Sequence, residues 1–180
     1  MGQFLTTQTD EVKAALEKGR VLLGIACYVL AWVGYPSPDP DFIPLRRLYR
    51  ADIDDYLYTT SQVEADSAVQ HAGYVFETIA CNVWNPNQPL PPNWNLFPLL
   101  RLYNPQTGEH FYTTQGETAQ AIMVAQRLKA GFQSETSPGF VNDPYQGVVP
   151  AWDVSMPLYR LSHIGATLPQ FTPWWNTEVL

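Results

Sequence analysis

The chain is poor in charge, and poorest in positive charge. Charged residues make up 15% of its 180 positions, and 10 lysines and arginines stand against 17 acids, for a formal net charge of −7. Nucleic-acid binding needs a basic footprint, so that class is excluded. Adsorption to an anionic membrane is disfavoured on the same ground. No apolar run approaches the ~20 residues of a membrane span, so no membrane insertion is expected. Histidine is scarce, and His71, His110 and His163 show no metal-ligand spacing. A glycine-rich phosphate loop and a Gly-x-Ser-x-Gly elbow are both missing. No metal, no cofactor and no enzymatic activity are therefore expected. The two cysteines, Cys27 and Cys81, are too few for a disulfide framework. A bond between them and a pair of buried free thiols are both open, and the thiols are favoured because cysteine behaves as a small hydrophobe. The polar N-terminus does not read as a signal peptide, so the expected location is the cytoplasm, or outside by a non-classical route. Met1-Gly2-Gln3-Phe4-Leu5-Thr6 fits a myristoylation pattern. It overlaps a repeated strand segment, however, which is expected to pin this end instead.

Repetition is what the chain has in quantity. Pro44-Leu45-Arg46-Arg47-Leu48-Tyr49 leads to Tyr58-Thr59-Thr60, and Pro98-Leu99-Leu100-Arg101-Leu102-Tyr103 leads to Tyr112-Thr113-Thr114. Pro157-Leu158-Tyr159-Arg160-Leu161 opens a third copy, and Phe4-Leu5-Thr6-Thr7 at the other end supplies what that copy lacks. A repeat begun at one end and finished at the other is a ring written as a line. After each Thr-Thr position a capping pattern follows, Ser61-x-x-Glu64 and Thr114-x-x-Glu117, with Thr7-x-x-Asp10 as a weaker version. Short helices are predicted over 11–16, 64–69 and 119–128. They stop at Gly19, Gly73 and Gly131, because glycine tolerates the left-handed backbone that closes a helix. β-branched and aromatic runs over 21–29, 74–84 and, more weakly, 132–141 read as strands. Asn104-Pro105-Gln106-Thr107-Gly108 is a turn sequence, so the two pieces beside it are predicted to form a hairpin.

The expected fold is α+β and mainly β: a single domain over 1–180, closed as a ring of three pseudo-repeats. Each repeat is a β-hairpin, a short helix and a strand, over approximately 44–97, 98–156, and 157–180 joined to 1–43. The C-terminal strand is expected to pair beside the N-terminal one and so remove free sheet edges. A β-trefoil or a small β-propeller is the alternative. Pro-rich connections over 34–41, 85–97 and 142–156 are neither helix nor inner strand, and their aromatic content predicts packing along the rim.

Arg47, Arg101 and Arg160 recur three residues after the repeat proline. They read either as donors facing a ligand or, with more weight, as structural partners of repeat carboxylates such as Glu77 and Glu135. Glu64 and Glu117 read as helix caps. The aromatic load points further: six tryptophans and ten tyrosines exceed what a core this size needs. Trp94 lies between Asn93 and Asn95, and Trp152 precedes Asp153. Aromatic faces stack on the C–H groups of sugars while polar flanks bind hydroxyls. The competing reading is that these tryptophans are rim packing.

The segment over 98–114, Pro-Leu-Leu-Arg-Leu-Tyr-Asn-Pro-Gln-Thr-Gly-Glu-His-Phe-Tyr-Thr-Thr, resembles a repeat family of unknown function in secreted bacterial and fungal proteins. Its consensus is near Y-R-L-Y-N-P-x-T-G-x-H-F-Y-T-T. The resemblance implies a targeting or glycan-binding module, since such repeats accompany cell-wall hydrolases. The first unit departs from the pattern, with Tyr56 in place of the histidine, and the N-terminal unit has Gln3 there. Standing alone, such a ring looks like a lectin or defence protein. The expected function is carbohydrate binding through Trp94, Trp152, Tyr56, His110 and Asn104, with Arg101 as a donor. Glycans or glycoproteins are the expected partners, and a homo-oligomer is compatible with them. The alternative is a protein-binding module, such as a protease inhibitor, that presents the Pro-rich loops.

Overall fold

The computed structural model describes residues 2–30, 40–92, 96–114, 133–142 and 155–163. The helix expected over 119–128, most of the connections over 34–41 and 142–156, and both Trp94 and Trp152 lie outside these residues. The described part is mainly β. In chain order its elements are β1 (Phe4–Thr6), α1 (Thr9–Glu17), β2 (Arg20–Leu30), β3 (Phe42–Arg50), β4 (Asp55–Thr59), α2 (Gln62–His71) and β5 (Val75–Trp84). They continue with β6 (Leu96–Pro98), β7 (Leu100–Asn104), β8 (Glu109–Thr113), β9 (Gln133–Ser134), β10 (Phe140–Asn142) and β11 (Ser155–His163). An eight-stranded sheet runs β1-β11-β2-β10-β5-β3-β4 with β6 against β10, and a three-stranded sheet runs β8-β7-β9.

The strand expected from the third repeat does lie beside the N-terminal one. β1 pairs antiparallel with β11, placing Leu5 opposite Arg160. The same register recurs in β3–β4, with Arg47 opposite Tyr58, and in β7–β8, with Arg101 opposite Tyr112. The third strands repeat too. β3 against β5 and β11 against β2 each carry two register shifts, placed at Leu45/Arg46 and Arg47/Leu48 in one and at Leu158/Tyr159 and Arg160/Leu161 in the other. A bulge adds one residue and re-aims the side chain there, and Glu77 occupies the second bulge of β5. At their far ends β2, β5 and β10 each pair with both of the others: Leu30 with Asn82, Trp84 with Phe140, Asn142 with Tyr28.

Where these strands converge, the core is built from matching positions. Leu45, Leu99 and Leu158 are fully buried, as are Leu5, Tyr58 and Tyr112, with Val29, Val83 and Val141 packed beside them. Buried phenols need partners, and they find them in sequence. The Tyr58 hydroxyl accepts from the Leu5 amide (2.7 Å) and donates to the Leu5 carbonyl (2.9 Å). The Tyr112 hydroxyl accepts from the Tyr58 amide (2.8 Å). Leu5 has no hydroxyl to offer Tyr112, and the Gln3 side-chain oxygen accepts from the Tyr112 amide instead (2.8 Å). The Thr-Thr positions behave alike. Thr7, Thr60 and Thr114 donate to the carbonyls of Ala80 (3.4 Å), Pro138 (2.7 Å) and Ala26 (3.5 Å). Cys27 and Cys81 are buried free thiols in this core.

Two local readings need correction. Ser61 caps α2 by accepting from the Glu64 amide (3.2 Å), but the Glu64 carboxylate does not reach back to close a capping box. It is drawn away by Arg101. The Thr7-x-x-Asp10 cap does not form at all: Gln8 is the N-cap of α1 without a side-chain hydrogen bond, and Asp10 pairs with Lys13 at the surface. The helix starts later than that pattern requires. The helices do end near Gly19 and Gly73, both at positive φ (82° and 74°). The strand expected over 132–141 is broken between β9 and β10 at Pro138 and Gly139. A Cβ on Gly139 would lie 2.5 Å from Val83 Cγ2, so close packing keeps this position bare.

Candidate functional site

Arg160 is half-buried, whereas Arg47 and Arg101 lie in strands with their guanidinium groups buried. Such a charge must be matched by carboxylates. Arg47 donates through both terminal nitrogens to Glu11 of α1 (2.7 and 2.8 Å) and through Nε to Glu77 in the β5 bulge (2.8 Å). Arg101 repeats the arrangement, with both terminal nitrogens on Glu64 of α2 (2.7 and 3.0 Å) and Nε 2.8 Å from Glu135. Each guanidinium thus ties the glutamate of its own unit to the helix of the preceding one, in the two-pronged geometry that suits a carboxylate. Among the glutamates, Glu77 and Glu135 stay about a third exposed (32% and 30%), so each keeps a face toward solvent.

Half-buried aromatic faces stand beside these carboxylates. Tyr49 packs on Tyr56 with ring centroids 4.6 Å apart, and Tyr103 packs on His110 at 4.9 Å. Burial raises the Tyr56 phenol to about 12, with the Glu77 charge adding to the shift. Tyr49 is raised by burial and by its hydrogen bond to Asp54. Both hydroxyls stay neutral donors at ordinary pH. Arg20 lies over the Tyr56 ring (5.3 Å) and holds Asp54 (2.6 Å), which also faces His163 Nε2 (2.9 Å).

The second constellation differs in its inner member. Asp55 is wholly buried and accepts from the His110 amide (2.7 Å) and the Tyr74 hydroxyl (2.7 Å). Its other contact is His110 Nδ1, also at 2.7 Å, which makes Nδ1 the donor nitrogen. His110 Nε2 is left facing Glu135 Oε2 at 3.7 Å. Burial raises the Tyr74 phenol, and the adjacent Asp55 charge raises it further.

The glutamates that clamp the arginines are acidic beyond the ordinary range. Glu11 is lowered from 4.5 chiefly by its hydrogen bonds to Arg47, against a burial that pushes it up. Burial is the largest influence on Glu64 and pushes it up, but the hydrogen bonds from Arg101 and Thr59 together with the Arg101 charge outweigh it, and the net shift is downward.

Of the residues expected to bind ligand, the structure brings Arg101 and His110 together around Glu135. Tyr56 sits at the equivalent place of the other constellation. Asn104 ties the turn instead, its side-chain oxygen accepting from the amides of Gln106 (2.9 Å) and Thr107 (3.4 Å). Sequence reasoning found Arg47 and Arg101 with their Glu77 and Glu135 partners. It missed Glu11, Tyr49, Tyr103, Asp54, Asp55 and Tyr74, and it gave Glu64 a different role. The signal for the clamps was present: Glu11 and Glu64 lie 53 residues apart, one repeat. Gly2 is buried, with its amide donating to the Asp54 carbonyl (2.8 Å), and a Cβ there would lie 2.8 Å from Asp55 Cα.

A mainly β scaffold that presents two matching Arg–Glu–aromatic clusters at its surface is the class of protein this geometry defines. Residues 1–93, and again residues 44–176, match the family described as a domain of unknown function, DUF5648, and the chain belongs to that family. The two matches overlap across 44–93. No curated protein and no solved structure matches the chain. No helix among the described residues is long and apolar enough to cross a membrane.

Proposed function

We propose that this protein binds carbohydrate through shallow sites repeated on a closed ring of three units. One observation carries the reading: the same constellation occurs twice. A half-buried tyrosine (Tyr49, Tyr103) lies on an inner ring (Tyr56, His110), beside a third-exposed glutamate (Glu77, Glu135) that a buried arginine (Arg47, Arg101) holds in place. An open tyrosine face can stack on the C–H side of a pyranose, and a carboxylate fixed by an ion pair accepts hydrogen bonds from its hydroxyls without first being ordered. In the third unit Ser162 stands at the tyrosine position and Leu23 at the glutamate position. Two working sites per chain are therefore proposed, and paired weak sites on one rigid body give avidity for glycan-coated surfaces. Trp94 and Trp152 remain candidates to extend these surfaces.

The closed three-unit arrangement is supported by the shared hairpin register, by the mutual pairing of β2, β5 and β10, and by the tyrosine and threonine contacts that run from unit to unit. The test is a glycan array probed with wild type, Tyr49→Ala, Tyr103→Ala and the double variant. Selective binding, weakened in each single variant and lost in the folded double variant, is the expected result. A blank array with folded wild type, or binding indifferent to both tyrosines, overturns the proposal.

A further inference from the structure

We infer that the sugars taken by these sites are cationic: glucosamine units with free amines, rather than uronate, sialylated or sulfated glycans. The inference rests on the carbohydrate reading and concerns the charge of its ligand. Anionic sugars are bound by open arginines and lysines that offer bidentate or multiple donors. Neither site has one to spare. The Arg47 guanidinium donates to Glu11 and Glu77, and that of Arg101 donates to Glu64 with its Nε 2.8 Å from Glu135, so each faces two carboxylates. Arg20, beside the first site, is held by Asp54, and Arg50, near Tyr103 of the second, is held by Asp52 through two hydrogen bonds.

Each clamp leaves two formal negative charges against one positive. In the first site Glu11 is 37% and Glu77 32% exposed, and in the second Glu64 is 38% and Glu135 30% exposed, while both arginines lie below 8%. The positive charge is thus inside and the negative charge outside. Asp54, at 26% exposure, adds a further acid beside Tyr49. The chain as a whole carries −7, which repels polyanions before contact and attracts polycations. A protonated amine on the sugar that stacks on Tyr49 or Tyr103 would meet Glu77 or Glu135 as a charge-assisted hydrogen bond. A carboxylate or sulfate at the same place would meet like charge.

Calorimetric titration of the whole chain tests this with three oligosaccharides of equal length: glucosamine, N-acetylglucosamine and galacturonic acid, at a pH where the amine is protonated. The glucosamine oligomer is expected to bind about tenfold tighter than its N-acetylated form, the sum of a few partly exposed ion pairs. The galacturonate oligomer is expected not to bind. High salt should erase the preference in wild type, because partly exposed pairs are screened. Glu77→Gln with Glu135→Gln should erase it too, with folding checked by thermal melting. Asp66→Asn, which removes one exposed charge that is bonded to Gln62 and is not part of either clamp, should keep it. Equal or tighter binding of the N-acetylated oligomer, or a preference shrinking as much in Asp66→Asn as in the glutamate variants, overturns the charge assignment and leaves carbohydrate binding standing. Failure of all three oligomers, together with a blank glycan array, overturns the carbohydrate reading itself.

Discussion

At the residue scale, the molecule is held by side chains that satisfy the backbone of another unit. The Tyr112 hydroxyl is the acceptor for the buried Tyr58 amide. Tyr112→Phe keeps the packing and leaves that amide unpaired, so it should cost about 1–3 kcal/mol in denaturant unfolding. Gln3→Leu removes the acceptor for the Tyr112 amide, but it also removes a buried Gln3 Nε2 that has no partner. It should therefore cost less, about 1 kcal/mol. A Gln3→Leu variant more damaged than Tyr112→Phe would contradict the idea that Gln3 only fills a missing tyrosine's place. Much of this was legible in the sequence: Tyr58 and Tyr112 fall at one repeat position, and so do Cys27 and Cys81. The role of Gln3 was not, because it acts from two residues away in sequence at a position where the other units carry Tyr56 and His110. Asp55 was equally hidden, since its partners Tyr74 and His110 belong to different segments and share no spacing rule.

At the element scale, the two helices are fastened by different means. Ser61 caps α2 and nothing comparable caps α1. Ser61→Ala should cost about 1 kcal/mol, read by thermal melting, whereas Gln8→Ala should be neutral. Both helices are also clamped to the sheet by glutamates whose acidity is increased in the folded state. The sign follows from that shift: a lowered pKa means the folded state holds the charged form more strongly. This stability is present above the ordinary value of 4.5 and is lost as pH falls through the lower folded values of Glu11 and Glu64. Unfolding midpoints measured from neutral pH downward should therefore drop below about pH 4.5, and Glu11→Gln with Glu64→Gln should flatten that drop. At neutral pH each single variant should lose about 1–2 kcal/mol, short of the ~3–5 for a fully buried pair, because each carboxylate is more than a third exposed (37% and 38%). The sequence showed both helices and their glycine stops. It misassigned Glu64 because a serine-to-glutamate spacing looks the same whether the carboxylate turns back to the cap or outward to an arginine from the next unit.

At the scale of the whole molecule, β1 and β11 lie side by side in the register of an internal hairpin. If the three units are equivalent, the choice of chain ends is arbitrary. A permutant that joins His163 to Gly2 by a short turn, with new ends between Pro89 and Leu90, should fold cooperatively with a wild-type circular dichroism spectrum. Loss of folding would show that the segment after His163 or the native ends are needed, against a ring of interchangeable units. The ring itself was suggested by sequence alone, because a repeat split between the two ends is whole only when those ends are joined. The binding surface was less legible. Aromatic abundance pointed to tryptophans, whereas the described geometry gathers tyrosines, and Glu77 reaches its place through a bulge in β5 while Glu135 follows the end of β9.

Carbohydrate binding by the two clusters is tested most directly by locating where a sugar touches the protein. Amide chemical-shift mapping of the labelled chain, titrated with glucosamine and N-acetylglucosamine oligomers, measures that contact. The expected perturbations fall in two groups, around Tyr49, Tyr56 and Glu77 and around Tyr103, His110 and Glu135, with the region of Ser162 and Leu23 unmoved. Perturbations confined to the Pro-rich segment 85–97, or spread evenly over the surface, would contradict it.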